Sequence, residues 1–304
     1  MQEVVLVSGF PASGKTTVTK KFPSHVRLNR DEQGGSINDL LPKLEILLKT
    51  GQSVVLDNTF PTKVSRAGVI ALGKKHNVPV RCVHLNASLE DAQFNACVRM
   101  LERTGKISDP AEKSKDPNIF PVAVLYKYRK EFEKPSVSEG FSSVEFQKFV
   151  REYPADWINE AVIFDYDGTL RKTKSGQKFP VSPDDIEILP RRIEKLQTLK
   201  NKILLGVSNQ SGIAKKLLTK EQAVACFEAT NKLLGINIDY RFCPHAVPPI
   251  TCYCRKPGPA LGVELIMKYK LHPKKCLFVG DLGTDKSFAE RCGFTFIPED
   301  QFFK

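Results

Sequence analysis

The chain has 304 residues and a single tryptophan, Trp157. No stretch approaches the run of about 20 apolar residues that a membrane-spanning helix needs, so no membrane partner is expected. Internal repeats and low-complexity tracts are absent, which excludes solenoids, collagen-like rods and long disordered arms. There is no charged tail either. The 46 Lys and Arg against 34 Asp and Glu give +12, with 23 against 17 in residues 1–155 and again 23 against 17 in residues 156–304. The excess positive charge therefore belongs to folded surface, where it suits a polyanionic partner as well as it suits simple solubility. Met1-Gln-Glu-Val-Val-Leu is acidic at position 3 and runs straight into a motif, so no secretory signal is read there. No clear basic import cluster is present. The expected location is intracellular, with nucleus and cytoplasm both open, as is oligomeric state. Eight cysteines without a leader argue for a reducing compartment. Cys82, Cys97, Cys226, Cys276 and Cys292 are scattered and are expected to pack as small hydrophobes. Apolar content of 41% and charged content of 26% are those of a globular protein, and the length allows two domains.

What is present is organised around Ala161-Val-Ile-Phe-Asp165-Tyr-Asp167-Gly-Thr-Leu170. Four apolar residues read as a buried parallel strand. Alternation puts Asp165 and Asp167 on one side, at the C-terminal edge, where open α/β sheets bind ligands. One carboxylate can attack phosphorus while the other handles the proton, and Mg²⁺ would hold their charges together. The pattern resembles the first motif of the haloacid dehalogenase superfamily, whose phosphohydrolases work through a phospho-aspartate.

The N-terminal half opens on another apolar strand, Val4 to Val7, followed by Gly9-Phe10-Pro11-Ala12-Ser13-Gly14-Lys15-Thr16-Thr17. This is a complete P-loop pattern in a strand-loop-helix setting. Its backbone N–H groups would cradle the phosphates of ATP, with Lys15 on the β- and γ-phosphates, Thr16 on Mg²⁺ and Thr17 as an added hydroxyl. In Val26-Arg27-Leu28-Asn29-Arg30-Asp31-Glu32 a short strand would bring Asp31 to the same edge, where a carboxylate can orient or deprotonate an attacking hydroxyl. The run Ser53 to Leu56 ends in Asp57-Asn58-Thr59, a place for a metal-linked aspartate. His84, in the strand Val80–Leu85, reads as a core histidine. A helix starting near Ser88 carries Asn95, Arg99 and Arg103 four residues apart on one face. The polar segment Thr104–Asn118 after it reads as a mobile lid whose arginines clamp a transferring phosphoryl group. Val122–Glu133 reads as a further helix.

Gly-Phe-Pro-x-x-Gly-Lys-Thr, Asn-Arg-Asp at 29–31, Asp-Asn-Thr at 57–59, the spaced arginines, Tyr-Arg-Lys-x-Phe-Glu-x-Pro at 128–135 and Glu-Gly-Phe at 139–141 together resemble the kinase domain of polynucleotide kinase/phosphatases. The resemblance covers about residues 3–150. It implies transfer of the ATP γ-phosphate to a 5′-hydroxyl end, with Asp31 as general base, Arg30 as a substrate contact, and Arg99 and Arg103 on phosphate. Position 34 is glycine, where the phage enzymes carry arginine; the Asp-x-x-Gly form looks more like the animal enzymes.

Pro154 marks a boundary, giving expected domains 1–154 and 155–304. Beyond the opening strand, Ile203–Val207 ends in Ser208-Asn209-Gln210, a hydroxyl and an amide suited to a phosphoryl oxygen. Lys256 would neutralise charge on Asp165 and the phosphate. Asp281 and Asp285 follow the strand Leu277–Val279 and bring oxygen ligands for Mg²⁺. The superfamily resemblance implies Asp165 as nucleophile and Asp167 as general acid/base. It implies Mg²⁺ held by Asp165, Asp167 and Asp281, with the Tyr166 carbonyl, and Asp285 nearby. Asp184 and Glu187 are expected only to cap a helix. Cys243, His245, Cys252 and Cys254 fit a closed tetrahedral Zn²⁺ site. That cluster resembles the structural zinc loop of the histidinol-phosphatase and heptose-bisphosphatase branch, where the metal would pin the loop beside Lys256.

The expected fold is thus α/β in two domains, a P-loop kinase sheet followed by a Rossmann-like haloacid dehalogenase phosphatase. The expected function is end healing of nucleic acids, phosphorylating 5′-hydroxyl ends and clearing 3′-phosphate ends of DNA or RNA. The alternative keeps both sites and changes the acceptor: a small-molecule kinase fused to a sugar- or amino-acid-phosphate phosphatase.

Overall fold

The computed structural model describes residues 1–247 and 252–304. The chain divides into two compact units, Met1–Arg99 with Lys113–Arg151, and Met100–Glu112 with Glu152–Lys304. The stretch 100–112 thus packs with the second unit although chain order places it in the first half.

The first unit contains β1 (Val4–Gly9), α1 (Lys15–Thr19), β2 (Val26–Leu28), α2 (Arg30–Gln33), α3 (Leu41–Lys49), β3 (Val54–Asp57), α4 (Lys63–Lys75), β4 (Val80–Asn86), most of α5 (Leu89–Thr104), α6 (Ala123–Glu131) and β5 (Ser143–Lys148). The sheet order is β2-β3-β1-β4-β5, all parallel. β1 and β3 are buried along their whole lengths, as a parallel strand covered by helices on both faces requires. From β1 the chain builds first toward β3 and β2, then crosses to β4 and β5. The C-terminal end of β1 is therefore the switch point of the sheet, and the P-loop sits on it.

The second unit contains β6 (Ala161–Phe164), β7 (Arg171–Thr173), β8 (Ile186–Ile188), α7 (Arg192–Gln197), β9 (Ile203–Asn209), α8 (Ser211–Ala214), α9 (Lys220–Leu234), β10 (Asp239–Cys243), α10 (Ala260–Tyr269), β11 (Leu277–Gly280), α11 (Gly283–Cys292), β12 (Thr295–Pro298) and α12 (Glu299–Phe302). Its sheet order is β10-β9-β6-β11-β12, again parallel. β6 is the switch strand here, and Asp165 is the first residue beyond it. β7 and β8 form a small antiparallel hairpin that rises after the Asp-x-Asp turn. A core of Phe164, Tyr166, Leu196, Phe227, Leu234 and Val279 lies under the sheet edge that carries the site.

Several expectations change. Asp31 is not delivered by a strand: β2 stops at Leu28, and the Asn29 side chain caps α2 by accepting from the Asp31 and Glu32 N–H groups. Asn caps well because its short amide competes for backbone donors. Glu187 lies in β8 and pairs with Lys172 at 3.0 Å rather than capping a helix, while Asp184 sits in a 3₁₀ turn capped by Ser182. The five scattered cysteines are buried and unbridged, and His84 is a core residue whose Nδ1 lies 2.9 Å from Ser8 Oγ. Among the described residues, no helix is long and apolar enough to cross a membrane.

Candidate active sites

In the first unit a cleft of about 580 Å³ opens over the P-loop. Pro11 to Thr16 form its floor, with Arg27, Arg30, Asp31, Asp57, Arg99 and Asn118 around it. Gly9 has φ +150°, and a Cβ there would come within 2.9 Å of Ser13 Oγ and 3.1 Å of the Leu85 carbonyl; the loop needs glycine to turn so close to β4. Gly9 and Phe10 shape the loop rather than line the cleft, and Phe10 packs on Tyr128 at 4.5 Å. Lys15 is buried, and its Nζ rests on the carbonyls of Phe10 at 2.7 Å and Gly9 at 3.3 Å. Burial pulls its amine down to about 8, against the opposing pull of Asp57. Ser13 Oγ is buried without a hydrogen-bond partner. An under-compensated ammonium, an unpartnered hydroxyl and a glycine cradle fit the phosphates of a nucleotide.

Thr16 Oγ1 donates to Asp57 Oδ2 at 3.0 Å, and Arg27 donates to the same oxygen at 2.6 Å through Nη2. A hydroxyl beside a buried carboxylate is the hard-oxygen pair that suits Mg²⁺. The sequence assigns no role to Arg27, and none to Asn58 beyond its place in the Asp-Asn-Thr run. Asn58 Oδ1 accepts from the Arg30 backbone N–H at 3.1 Å, which fixes α2 and hence Asp31 at the cleft. Arg30 Nη2 lies 3.2 Å from Asp31 Oδ1. Arg99 reaches Asn118 at 3.2 Å and lines the cleft, and Asn95 donates to the Ala12 carbonyl at 2.9 Å. The helix face of three residues is therefore split. Arg103 belongs to the stretch that packs with the second unit and, like the exposed Thr17, is not among the lining residues.

In the second unit the switch-point strands converge on one ammonium. Lys256 Nζ donates to Asp165 Oδ1 at 2.5 Å and to the Val207 carbonyl at 2.9 Å, and lies 2.7 Å from Asp285 Oδ1. All three residues are buried. Burial opposes the charge on Lys256, but the Asp165 and Asp285 carboxylates hold its ammonium above the usual lysine range. Burial also pushes Asp165 up to about 7, with Lys256 pulling down and Asp285 pushing up. Asp281 is raised by partial burial and by Asp285. Carboxylate oxygens of Asp165, Asp281 and Asp285 lie within 4.8 Å of one another. Three carboxylates against one ammonium leave an excess of negative charge on hard oxygen donors, and that fits Mg²⁺. Glycines admit this crowding. A Cβ on Gly280 would meet Asp285 Cβ at 2.6 Å, and one on Gly168 (φ +91°) would meet Asp281 Oδ2 at 2.4 Å.

Asp167, expected among the metal ligands, is outside that carboxylate cluster; its oxygens are taken by Arg171 and Gln210, each at 2.8 Å. The Tyr166 carbonyl turns inward and accepts from the backbone N–H groups of Leu170 (2.9 Å) and Arg171 (3.1 Å), so it closes the turn instead of facing a cation. Asn209 turns to the Lys256 backbone. Its amide brackets the Lys256 backbone, accepting from the N–H at 2.9 Å and donating to the carbonyl at 3.2 Å. Ser208 Oγ is buried and accepts from Gln210 Nε2 at 3.0 Å. A strand-end polar run is visible in a sequence, but which way each side chain turns depends on the loops that cross it.

The Cys243, His245, Cys252 and Cys254 donor atoms also lie within 4.8 Å of one another. Bonds of about 2.3 Å to sulfur and 2.0–2.1 Å to nitrogen at tetrahedral angles set S···S edges near ~3.8 Å and S···N edges near ~3.6 Å. Cys243 Sγ is 3.8 Å from Cys252 Sγ and 3.5 Å from His245 Nδ1, and His245 Nδ1 is 3.2 Å from Cys254 Sγ. Hydrogen bonds from Cys243 and Cys254 hold the Cys252 thiol far below its ordinary value, while contacts among the three push the Cys243 and Cys254 thiols up. His245 Nε2 lies 3.2 Å from Asp109, which packs with this unit, the kind of outer carboxylate that fixes a ligand imidazole. Donor set and spacing fit zinc.

A parallel-sheet P-loop unit joined to a haloacid dehalogenase-like unit is the class of protein that these folds and centres define. Residues 160–303 match the family model described as polynucleotide kinase 3 phosphatase. A bifunctional polynucleotide phosphatase/kinase of Schizosaccharomyces pombe is 31% identical over 161 residues, which is 51% of this chain and 36% of that one. A probable D-glycero-D-manno-heptose-1,7-bisphosphate 7-phosphatase of Thermoplasma volcanium is 32% identical over 45% of this chain and 96% of its own length. A solved D,D-heptose 1,7-bisphosphate phosphatase from B. bronchiseptica aligns at 26% identity with a TM-score of 0.41, covering 45% of this chain and 78% of that one. The chain is thus similar to polynucleotide kinase/phosphatases, with the family match lying in residues 160–303. It spans little more than a third of its fission-yeast relative.

Proposed function

We propose that this chain heals nucleic-acid ends: the first unit moves the γ-phosphoryl of ATP to a 5′-hydroxyl, and the second removes a 3′-phosphate. The observation that carries the reading is the presence on one chain of a phosphate cradle with a carboxylate at its acceptor side and, separately, a buried Asp165–Lys256–Asp285 centre. One site adds a phosphoryl group and the other takes one away. Ends with a 5′-phosphate and a 3′-hydroxyl are what a ligase joins.

In the kinase half Lys15 and the loop N–H groups position the β- and γ-phosphates. Asp31 takes the proton of the attacking hydroxyl, while Arg30 orients the acceptor and Arg99 faces the transferring group. Thr16 and Asp57 would hold Mg²⁺. In the phosphatase half an Asp165 oxygen attacks phosphorus, and the P–O bond to the leaving oxygen breaks. Asp167 gives that oxygen its proton. Water then attacks the phospho-aspartate, Asp165 leaves as carboxylate, and the water proton returns to Asp167. Lys256 pulls against the burial that raises Asp165 and balances the incoming phosphate. Asp165, Asp281 and Asp285 would hold Mg²⁺, which supplies Lewis-acid polarisation of the phosphoryl oxygens. Cys243, His245, Cys252 and Cys254 would hold a structural Zn²⁺ that fixes the turn two residues before Lys256.

A second reading, a small sugar-phosphate substrate for the phosphatase half, is favoured by the match along nearly the whole Thermoplasma relative. One experiment separates the two. The protein is incubated with ATP, Mg²⁺ and an oligonucleotide bearing a 5′-hydroxyl and a 3′-phosphate, and both ends are read by mass. Gain at the 5′ end, lost in Lys15→Ala, and loss at the 3′ end, lost in Asp165→Asn, are expected. An unchanged oligonucleotide alongside rapid hydrolysis of small phosphomonoesters would establish the second reading instead.

A further inference from the structure

Both oxygens of Asp167 are held, and by donors of different kinds. Oδ1 accepts from Arg171 Nε and Oδ2 from Gln210 Nε2, each at 2.8 Å. Arg171 opens β7, four residues after Asp167, and is 1% exposed. Its far end is fixed as firmly: Nη1 donates to the Cys226 carbonyl at 2.7 Å and to Thr230 Oγ1 at 2.8 Å, both on α9. The guanidinium lies 4.9 Å from the Phe227 ring centre and 5.4 Å from that of Tyr166. Gln210 follows β9 and is 3% exposed; its Nε2 also bonds Ser208 Oγ at 3.0 Å. A guanidinium so enclosed has no surface left with which to bind substrate. It faces the Asp167 carboxyl group instead.

We propose that Arg171 and Gln210 are positioning residues for Asp167: Arg171 anchors Oδ1, and Gln210 leaves Oδ2 as the oxygen through which the proton passes. The proposal rests on the reading of Asp167 as the proton donor and acceptor of the phosphatase half. A guanidinium only donates, so the oxygen it binds must stay an acceptor throughout. A carboxamide carries both an NH₂ and a carbonyl. By turning over it donates to a bare Oδ2 and accepts from a protonated one. Asp167 alternates between those two states in each turnover, so one partner must be constant and the other adaptable. In the first step the Asp165–phosphorus bond forms, the bond to the leaving oxygen breaks, and the Oδ2 proton goes to that oxygen. In the second the water–phosphorus bond forms, the Asp165–phosphorus bond breaks, and a water proton returns to Oδ2. Oδ1 stays on Arg171 in both.

Leaving-group dependence tests this. An alkoxide such as a 3′-oxygen needs a proton as it departs; 2,4-dinitrophenolate does not. Steady-state kcat and KM are measured for a 3′-phosphorylated oligonucleotide, and the burst of dinitrophenolate is measured with 2,4-dinitrophenyl phosphate. Arg171→Met and Gln210→Leu are each expected to lower kcat on the oligonucleotide roughly 10- to 100-fold, up to the lower end of general acid–base contributions because the acid itself is retained, with KM within about twofold. The burst rate is expected to stay unchanged. Burst amplitude counts folded sites, so a folding defect in the buried Arg171 variant shows there and leaves the leaving-group dependence readable; Gln210→Leu gives a second route. Asp167→Asn is run beside them. If it loses no more on the alkyl ester than on the aryl ester, the proton role of Asp167 fails. If it does show the dependence while both positioning variants slow the two esters equally, or neither ester, the positioning proposal is overturned.

Discussion

Gly168 shows how little room the phosphatase centre leaves. Its φ of +91° is one that only glycine adopts without strain, and an added Cβ would sit 2.4 Å from an Asp281 oxygen. Gly168→Ala should displace Asp281 from its partners Asp165 and Asp285. The expected outcome is loss of roughly two orders of magnitude in phosphatase kcat, the scale seen when a charge-stabilising group is misplaced. ATP-dependent kinase turnover should stay within about twofold, since the P-loop unit has its own cradle. Equal losses in both activities would show that the substitution unfolds the chain instead. Residue identity was largely legible at this scale. Asp165, Asp281, Asp285 and Lys256 meet as their motifs imply, because a strand end offers few positions. Orientation was not legible. Asn209 binds the Lys256 backbone, the Tyr166 carbonyl closes a turn, and Asp167 faces Arg171, each through a contact with a residue distant in sequence or brought round by the turn.

At the scale of elements, β4 carries a buried imidazole. His84 Nδ1 bonds Ser8 Oγ of β1, and the ring stacks on Phe132 at 5.0 Å. Burial first, then the positive charges of Arg66, Lys15 and Lys134, lowers its pKa to about 4 from 6.5. Between those values the unfolded chain binds a proton that the folded chain refuses. Stability therefore rises with pH across this window, and the contribution is lost as pH falls from 6.5 toward 4. The loss at pH 4.5 relative to pH 7 should be about 2–3 kcal/mol. Urea unfolding of the wild type and His84→Gln at the two pH values measures it: the difference between the proteins should shift by that amount, and a pH-independent difference would count against a neutral buried ring. Strands and helices themselves were mostly readable, since apolar runs and 3.6-residue periods survive in the sequence. Some short ones were not. α2 replaces an extended approach to Asp31, and β8 takes in Glu187, because caps and hairpins depend on one or two local hydrogen bonds.

At the scale of the whole molecule, net charge separates the two substrate classes. A chain of +12 acting on a polyanion releases counterions on binding. If about three backbone phosphates are contacted, affinity for a single-stranded end falls with a log–log salt slope near ~−2, or about tenfold between 50 and 150 mM. Binding of the oligonucleotide is titrated at several salt concentrations, with a small phosphorylated sugar as comparison. A slope no steeper than that of the sugar would remove polynucleotide ends as the substrate class.

The sequence by itself determined that there are two phosphoryl-handling folds, where their switch-point strands end, and which acidic, basic and sulfur-bearing residues are available there. It could do so because P-loops, Asp-x-Asp turns and paired cysteine ligands are local patterns, written in consecutive residues whose backbone geometry demands them. The tertiary structure alone decided which oxygen faces which donor. It brought Arg27 to Asp57, Asn58 to α2, and Arg171 and Gln210 to the two sides of Asp167. It also grouped residues 100–112 with the second unit, so that the division between the units falls within α5, between Arg99 and Arg103. Those pairings join residues far apart in sequence or around a turn. They are set by packing and by the requirement that buried polar groups find partners, and a linear pattern does not record them.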